Sequence, residues 1–502
     1  GDPEEEGRIS DGDLARADPG EHEGARWAWG HVLSIHSLPW VDRIAEQFPR
    51  SGSLSSNTTA PSNEPRLSLG VTPLDPSETW TDRERRDAQR RRLRAMLTEV
   101  LAGDRFYQRK LLAAGVRSAD DALDRWSEIP FTTKDELVAD QAEHPPYGTN
   151  LTYPLERYVR VHQTSGTTGR PLRILDTADS WRWWTDIWSL IYRAAGVTAA
   201  DRIFFCFSFG PFIGFWSAFA GAERIGALCI SGGAQSTSER IAGIVATDAT
   251  VLLCTPTYAL RLAEAARDEG IDLSRSGLRV SIHAGEPGAS IPSTRDRIEA
   301  ALGVRAFDHT GATEVGPTGF SCEARDGVHI VEREFVVEVL DPASGEVTDE
   351  GDGELVLTNL GRWGSPAIRY RTGDRVSARR GTCACGRTCL KLAGGILGRV
   401  DDMVVVRGVN VYPSAIEAVV REIGEVAEYR VEAHDERGMT ELRVVVEPAS
   451  GAGNGLDARV GEALQRALGL RCDVALVGPG ALPRFELKAK RFVRVAGVTP
   501  TA

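Results

Sequence analysis

Apolar residues at Leu93, Met96, Leu97, Val100 and Leu101 follow the i, i+3, i+4, i+7, i+8 spacing of an amphipathic helix, and the pattern is helical from Trp80 onward. Between about 200 and 308 the pattern changes. Short apolar runs at Arg202–Phe207, Val251–Thr255, Arg279–His283 and Val304–Phe307 are strand-like, with helical patterns at Leu260–Arg267 and Arg295–Leu302 between them. The alternation predicts a sheet covered by helices, with substrate loops at the strand ends. Val328–Leu340 and Gly353–Leu357 read as antiparallel strands joined by a turn around Pro342 and Gly345. After Gly398 the pattern restarts. It gives strand Val404–Val406, helix Pro413–Ile423, strands Ala427–Ala433 and Leu442–Val446, helix Leu456–Leu468 and strand Asp473–Val477, enough for a small α+β domain. The expected fold class is therefore α/β: a large N-terminal domain of helix-covered sheets over 71–397 and a smaller α+β C-terminal domain over 398–502. Residues 1–70 are rich in Glu, Asp, Gly, Ser, Pro and Asn and read as a flexible extension, in which Trp27, Trp29 and Trp40 could still dock.

Composition narrows the function classes. At 502 residues and 42% apolar content the chain can bury more than one core, and no apolar run approaches the length of a membrane span. Gly1–Glu6 has neither a basic n-region nor an apolar h-region, so the expectation is no secretory signal and a cytoplasmic protein. A net charge of −12 argues against a nucleic-acid surface, and the arginines from Arg83 to Arg94 alternate with Asp82, Glu84 and Asp87 as on a solvated helix face. Eight cysteines are present, and disulfides are not expected without export. Cys206, Cys229 and Cys254 sit in apolar runs as small buried residues. Cys322-x6-His329 with Cys383-x-Cys385 can supply four soft ligands to a closed structural zinc site; Cys389 is a rival ligand, and free cysteines in turns are the alternative.

The segment Val161–Pro171 carries the most chemistry. Thr164, Ser165, Gly166, Thr167, Thr168 and Gly169 bring hydroxyl and backbone N–H donors around a turn, where glycine leaves room for phosphate oxygens. Neither the Walker A spacing nor the dinucleotide G-x-G-x-x-G is present. Further along come Gly311-Ala312-Thr313-Glu314, Tyr370-Arg371-Thr372-Gly373-Asp374, Gly398-Arg399-Val400-Asp401-Asp402, Val406–Pro413 and Leu482–Arg491. In this order the motifs resemble those of the adenylate-forming superfamily of acyl-CoA ligases, adenylation domains and luciferases. Arg160–Pro171, Ile368–Asp374, Gly398–Glu417, Leu482–Arg491 and the upstream Phe106-Tyr107 to Ile129–Lys134 are most similar to the phenylacetate-CoA ligase branch. The resemblance covers about residues 75 to 495.

The resemblance implies an ATP-dependent, Mg²⁺-assisted ligase that forms an acyl-adenylate and then a thioester with coenzyme A. Residues 164–169 would hold the β- and γ-phosphates, Glu314 the Mg²⁺ and Thr313 the α-phosphate. Ala284-Gly285-Glu286-Pro287, Asp308, His309 and Thr310 would surround the adenine. Asp374 would bind the ribose hydroxyls with support from Arg399, and Lys488 would bridge the carboxylate and the α-phosphate. Asp401 resembles the superfamily's hinge, which makes the small domain mobile, and Arg407 and Gly408 lie on the face that would admit coenzyme A. There are departures. Thr310 stands where a tyrosine often stacks on adenine. Leu172 follows Pro171 where many relatives have lysine, leaving Arg170 or Arg173 to supply charge, and Lys490 competes with Lys488.

The aromatic run Phe204–Trp216 corresponds to the acyl-pocket region of the resembling family. Phe209, Gly210, Phe212, Gly214, Tyr258, His283 and Gly311 are its candidate lining, which suggests a benzoate-type acid with a hydroxyl or amino substituent. Transfer to a carrier-protein thiol, or to an amine or hydroxyl in natural-product (antibiotic) biosynthesis, is the alternative to coenzyme A. A zinc-containing interaction protein with a degenerate nucleotide fold is the rival from another class. The expected oligomeric state is monomer or homodimer, without nucleic-acid or membrane partners.

Overall fold

A computed structural model describes residues 74–164, 171–400, 404–406, 409–436, 439–469, 471–485 and 491–495. Local sequence signals set the first elements. Helix Asp82–Gly103 starts at a capping box, in which Thr81 accepts from Glu84 N and the Glu84 side chain returns to Thr81 N. Thr133 and Glu136 do the same for helix Lys134–Glu143.

Strands β1 (Tyr158–Gln163) and β2 (Arg173–Thr177) form an antiparallel pair. Helix Ala178–Ala194 follows and buries Trp183, Trp184 and Trp188. Strands β3 (Arg202–Phe205), β4 (Leu228–Ser231), β5 (Val251–Cys254), β6 (Val280–His283) and β7 (Arg305–Ala312) then run parallel in the order β4-β3-β5-β6-β7. Helices Ile213–Arg224, Thr237–Ala246, Pro256–Asp268 and Pro292–Leu302 connect them. A parallel sheet needs such crossovers and is apolar on both faces. Accordingly Phe205, Leu253, Ile282 and Phe307 enter one core, while Phe204, Leu252, Cys254 and Ala306 enter a second core against helix Pro256–Asp268.

At β7 the sheet changes character. β7 pairs parallel with β6 and antiparallel with β8 (Gly316–Phe320), with a register shift between Thr310 and Gly311. The sheet continues antiparallel through β9 (Gly327–Ile330), β10 (Phe335–Leu340), β11 (Val347–Thr348), β12 (Gly351–Asn359), β13 (Tyr370–Arg379) and β14 (Lys391–Ala393), and β15 (Gly398–Arg399) pairs with β13. The single strand expected over Val328–Leu340 is two strands. Glu332 and Glu334 interrupt it because their buried carboxylates bind Arg85 and Arg380, and Arg92 and Trp183 Nε1 respectively.

The smaller C-terminal domain has its own core of Val404, Val406, Val411, Ile416, Val420, Val431, Val444, Val460 and Leu464. β16 (Val404–Val406) pairs with β17 (Val409–Val411). β18 (Val426–Glu436), β19 (Met439–Pro448), β20 (Asp473–Leu476) and β21 (Phe492–Val495) form a sheet of order β20-β19-β18-β21, covered by helices Pro413–Glu422 and Leu456–Leu468. The mixed α/β class with a large and a small domain agrees with the sequence pattern. β1, β2, β4, β8, β11, β13, β14, β15, β17 and β21 were not anticipated; apart from the ten-residue β13 they are short strands, and short strands rich in glycine, charge and hydroxyl residues carry little apolar periodicity. No helix among the described residues is long and apolar enough to cross a membrane.

Candidate active site

Side chains of the sequence motifs fall in three sets, at the end of β1, on β6 and β7, and on β13 and β15. The first is the base of the hydroxyl-rich loop. Thr164, buried at the end of β1, donates its N–H to Leu172 O (3.0 Å) and accepts Leu172 N–H on Oγ1 (3.1 Å). These bonds close the loop. Ser165, Gly166, Thr167, Thr168 and Gly169 lie outside the described residues.

The second set lies on β6 and β7. Ala284–Pro287 leaves the end of β6, and Glu286 Oε1 caps the helix at Thr257 N, 2.9 Å away. Asp308 is buried beside Ser290, whose hydroxyl donates to it, and burial pushes its carboxyl up to about 6. His309 packs on Trp188 with ring centroids 4.4 Å apart, and Gly319 O accepts from its Nδ1 at 2.8 Å. Burial drives the His309 pKa down to about 4, so the ring is neutral near pH 7. Thr310 Oγ1 lies 3.0 Å from Thr318 Oγ1, hydroxyl to hydroxyl across the β7–β8 hairpin. Thr313 and Glu314 form the turn beyond, and a cation faces it: Lys134 Nζ lies 3.2 Å from Glu314 Oε1.

The third set is on β13 and β15. Asp374 pairs in register with Arg399, and Arg399 Nη1 donates to Asp374 Oδ1 (3.1 Å) and Thr372 O (2.8 Å). Gly373 is required here, since its φ is +72° and a Cβ would stand 2.5 Å from the Arg399 guanidinium. Tyr370 ties the sets together. Its phenol is pushed far above the ordinary range by burial and by the nearby Glu314 carboxylate, with Asp374 and Arg399 as further charged neighbours. Lys134 and Tyr370 both lie in the family-like motifs, and the sequence alone assigns neither a role. The signal for Lys134 was its rarity, one of five lysines in 502 residues.

The aromatic region divides. Phe207 stacks on Phe215 at 4.0 Å, and Phe209 meets Trp216 at 5.0 Å and Phe219 at 5.6 Å. Phe212 is the residue preceding helix Ile213–Arg224, and no side chain caps that helix. Nothing lies within 4 Å of a Cβ built at Gly214, and a Cβ at Gly210 would meet only the Phe212 ring at 3.6 Å. Gly311 is closed in, 2.9 Å from Gly316 O by the same construction. The structure does not bring Tyr258 and His283 to this group. Tyr258 is fully buried in the second core, with its hydroxyl 3.2 Å from Thr237 Oγ1. His283 is also fully buried; its Nδ1 lies 3.1 Å from Cys254 O and its Nε2 2.7 Å from Ser281 Oγ, and burial lowers its pKa to about 4.

The small domain meets the large one next to this site. Arg375 lies over the Tyr412 ring at 4.5 Å, and Ser414 Oγ donates to Leu397 O. Lys488, Asp401, Arg407 and Gly408 lie outside the described residues.

Apart from the site, Cys322, His329, Cys383 and Cys385 gather so that one ligand atom from each lies within 4.8 Å of all the others. Cys322 Sγ is 3.8 Å from Cys383 Sγ, and Cys385 Sγ is 3.6 Å from His329 Nε2. Tetrahedral zinc with Zn–S of about 2.3 Å and Zn–N of about 2.0 Å has ligand edges of roughly 3.5–3.8 Å, so the donor set fits that ion. The Cys389 carbonyl lies 3.3 Å from His329 Nδ1, which leaves Nε2 as the ligand atom and puts Cys389 behind the ring. The Cys385 thiol is held well below its ordinary range by the Cys322 S–H, with His329 and Arg387 adding to the effect.

Comparison with known proteins agrees with this layout. The family model described as AMP-binding enzyme matches residues 93–361, and the AMP-binding enzyme C-terminal domain matches 408–494. Phenylacetate-coenzyme A ligase of Thermus thermophilus is 32% identical over 434 residues, covering 82% of this chain and 96% of the relative. The enzyme of the same name from Escherichia coli is 33% identical over 434 residues, with 84% and 97% covered. Crystal structures of 2-hydroxyisobutyryl-CoA ligase are also similar. The postadenylation state with 2-HIB-AMP gives a TM-score of 0.79 at 30% identity, covering 86% of this chain and 94% of that one. The thioesterification state with 2-HIB-AMP and CoA gives 0.64 at 31% identity over the same shares. By these matches the chain belongs to the AMP-binding, adenylate-forming family of acid–thiol ligases, in the branch of the phenylacetate-CoA ligases.

Proposed function

We propose that this enzyme activates a compact aryl acid of the benzoate type, with a hydroxyl or amino substituent as an option, and transfers it to coenzyme A. The observation that carries the reading is the pair of charged contacts at the motif residues, Lys134 against Glu314 at 3.2 Å and Arg399 against Asp374 at 3.1 Å. In the first half-reaction a carboxylate oxygen attacks the α-phosphorus of ATP and pyrophosphate leaves. The thiol sulfur of coenzyme A then attacks the acyl carbon, AMP leaves, and the thiol proton passes to solvent.

Negative charge gathers at the α-phosphate during the first step, so donors and cations fixed in advance lower the barrier. Residues 164–169 hold the β- and γ-phosphates, and Thr313 hydrogen-bonds the α-phosphate. Ala284–Pro287, Asp308, His309 and Thr310 bound the adenine, with Thr310 too small to stack on it. Asp374, steadied by Arg399, binds the ribose hydroxyls, and Lys488 joins carboxylate and α-phosphate. Glu314 is a carboxylate that already faces a cation, as a Mg²⁺ ligand should; the ion when bound neutralises phosphate charge.

The domain boundary between 397 and 398, with Asp401 as hinge, allows two orientations of the small domain, one offering Lys488 and the other Arg407 and Gly408. The better superposition on a relative's postadenylation state supports an adenylation-side orientation in this structure. Zinc held by Cys322, His329, Cys383 and Cys385 would clip β9 to the Cys383–Cys389 loop and serve stability. The use of ATP and coenzyme A as co-substrates supports a cytoplasmic reaction.

Room at the half-buried Gly210, where a Cβ would meet only the Phe212 ring at 3.6 Å, supports a flat substrate. The test is pyrophosphate release with a panel of benzoates, phenylacetate, 2-hydroxyisobutyrate and fatty acids, followed by acceptor assays with coenzyme A, carrier protein and amines. Benzoate-type acids are expected to exceed fatty acids by at least about tenfold in kcat/KM, roughly 1.4 kcal/mol. Preference for a fatty acid would overturn the pocket reading and leave adenylation standing.

A further inference from the structure

Arg362 is the bulkiest of the fully buried side chains, and its partners are unusual. Its Nε and Nη2 bind Asp176 Oδ1 and Oδ2 at 2.7 and 2.6 Å, a two-pronged ion pair in which both side chains are 0% exposed. The remaining prong, Nη1, donates to Thr313 O at 2.6 Å, with Glu314 O at 3.4 Å. Asp176 lies on β2, four residues beyond Leu172, which closes the hydroxyl-rich loop with Thr164. One guanidinium thus ties the strand leaving that loop to the turn that bears Thr313 and Glu314. The same turn is held from the other side, where Asn359 Nδ2 donates to Val315 O at 3.0 Å.

A buried ion pair is poor value as a stabiliser, because desolvation cancels most of its Coulomb gain and apolar residues of equal size often do as well. Its retention calls for a geometric reason. His162 does not share the load. Its Nδ1 stands 3.9 Å from Asp176 Oδ2 without a hydrogen-bond partner, and its ring stacks on Trp181. The Asp176 charge is met by Arg362, whose guanidinium also lies 5.3 Å from the Trp184 ring centroid.

We propose that Asp176 and Arg362 are a positioning pair that sets the Thr313–Glu314 turn relative to the phosphate-loop hairpin, so that metal and phosphate contacts fall at the correct spacing. The inference rests on Glu314 being the metal-binding carboxylate. Neither residue touches substrate; each acts through the backbone of the turn.

The test uses Arg362→Lys, which keeps the charge but cannot bridge both partners, and the double variant Asp176→Leu/Arg362→Met, which keeps an apolar core. Glu314→Gln is the control. Mn²⁺·ATP binding is measured by calorimetry and manganese EPR, alongside metal-free ATP binding, thermal unfolding and the two half-reactions separately. We expect both variants to weaken Mn²⁺·ATP binding by about tenfold and adenylation by about a hundredfold, the size of effect a displacement near 1 Å produces. Metal-free ATP binding and thioester formation from supplied acyl-adenylate should stay within about twofold of wild type. Wild-type Mn²⁺·ATP binding and adenylation in the double variant would overturn the pair, as would equal loss of both half-reactions in Arg362→Lys. If Glu314→Gln itself keeps Mn²⁺·ATP binding, the metal assignment is what fails.

Discussion

Arg491, at the start of the last small-domain strand, reaches the large domain through Nη1, 3.2 Å from Thr257 Oγ1 on the first turn of helix Pro256–Asp268. Seven residues along the same helix, Glu264 faces Arg484 at 3.5 Å. Within its own domain Arg484 is tied to Glu447 at 2.6 Å and Arg491 to Glu428 at 2.7 Å. Helix Pro256–Asp268 therefore meets both arginines of the Leu482–Arg491 motif. Glu264→Gln with Thr257→Ala loosens this orientation without touching the internal pairs of the small domain. Adenylation should fall several-fold while thioester formation from supplied acyl-adenylate holds or rises, as stopped-flow measurement of each half-reaction would reveal. A parallel fall in both would make the contact merely structural.

Lys488→Ala should abolish adenylation and largely spare thioester formation, and Asp401→Pro should do the reverse because proline restricts the backbone rotation. Pyrophosphate exchange and acyl-CoA formation, assayed apart, separate the two. Full adenylation in Lys488→Ala with loss in Lys490→Ala would move the role by two residues.

Elemental analysis should find one zinc per chain. Chelation, or Cys385→Ser, should lower the unfolding temperature by several degrees while kcat of the surviving folded enzyme stays within about twofold. A folded Cys385 variant without catalysis would make the metal part of the chemistry. Zinc retained in Cys322→Ser but lost in Cys389→Ser would exchange the fourth ligand.

Asp308 gives a pH signature. Its carboxyl is raised to about 6 by burial, so it is ionised and able to accept from the adenine amino group above that pH, and protonated below it. KM for ATP in adenylation should rise as pH falls through about 6, and Asp308→Asn should flatten the profile. A wild-type profile unchanged between pH 5 and 8 would remove Asp308 from the nucleotide contacts. The stability effect has the same cause and the opposite sense. Because the folded state holds this proton more tightly than the unfolded chain does, the group stabilises the fold below its unfolded pKa of 3.8, and that contribution is lost as pH rises through about 6.

The sequence displayed the fold where burial imposes a period. The runs at Arg202, Val251, Arg279 and Val304 are strands of the parallel sheet, and Leu456–Leu468 is a helix from end to end. It did not display pairings made through space. Lys134 meets Glu314 across 180 positions of chain, and Asp176 meets Arg362 across 186, with no local pattern announcing either. Tyr258 and His283 looked like pocket residues because they are polar groups near an aromatic run. On β6 the side chains alternate between two apolar faces, and His283 falls on the face that fills the second core, where Ser281 and Cys254 O satisfy it. The spacing alone could not say whether Cys389 replaces one of the four proposed ligands; in the structure its carbonyl lies against His329 Nδ1, while Cys385 Sγ faces Nε2.

The change from parallel to antiparallel pairing at β7 has a consequence for how this site can vary. Asp308, His309 and Thr310 stand on one strand, and Thr313 follows just beyond its end, so the spacing between the proposed base and phosphate contacts is ruled off along a single backbone at about 3.3 Å per residue. Side chains alternate from Asp308 to Thr310, before the register shift at Gly311, so gaining or losing one residue there would turn the contacts before it to the opposite face relative to those after it. The strand can accept new side chains, as Thr310 illustrates, but not a new length. On the proposed roles, divergence in nucleotide handling along this strand is therefore confined to point replacement, while changes of loop length are left to the segments that follow β1, β3 and β6.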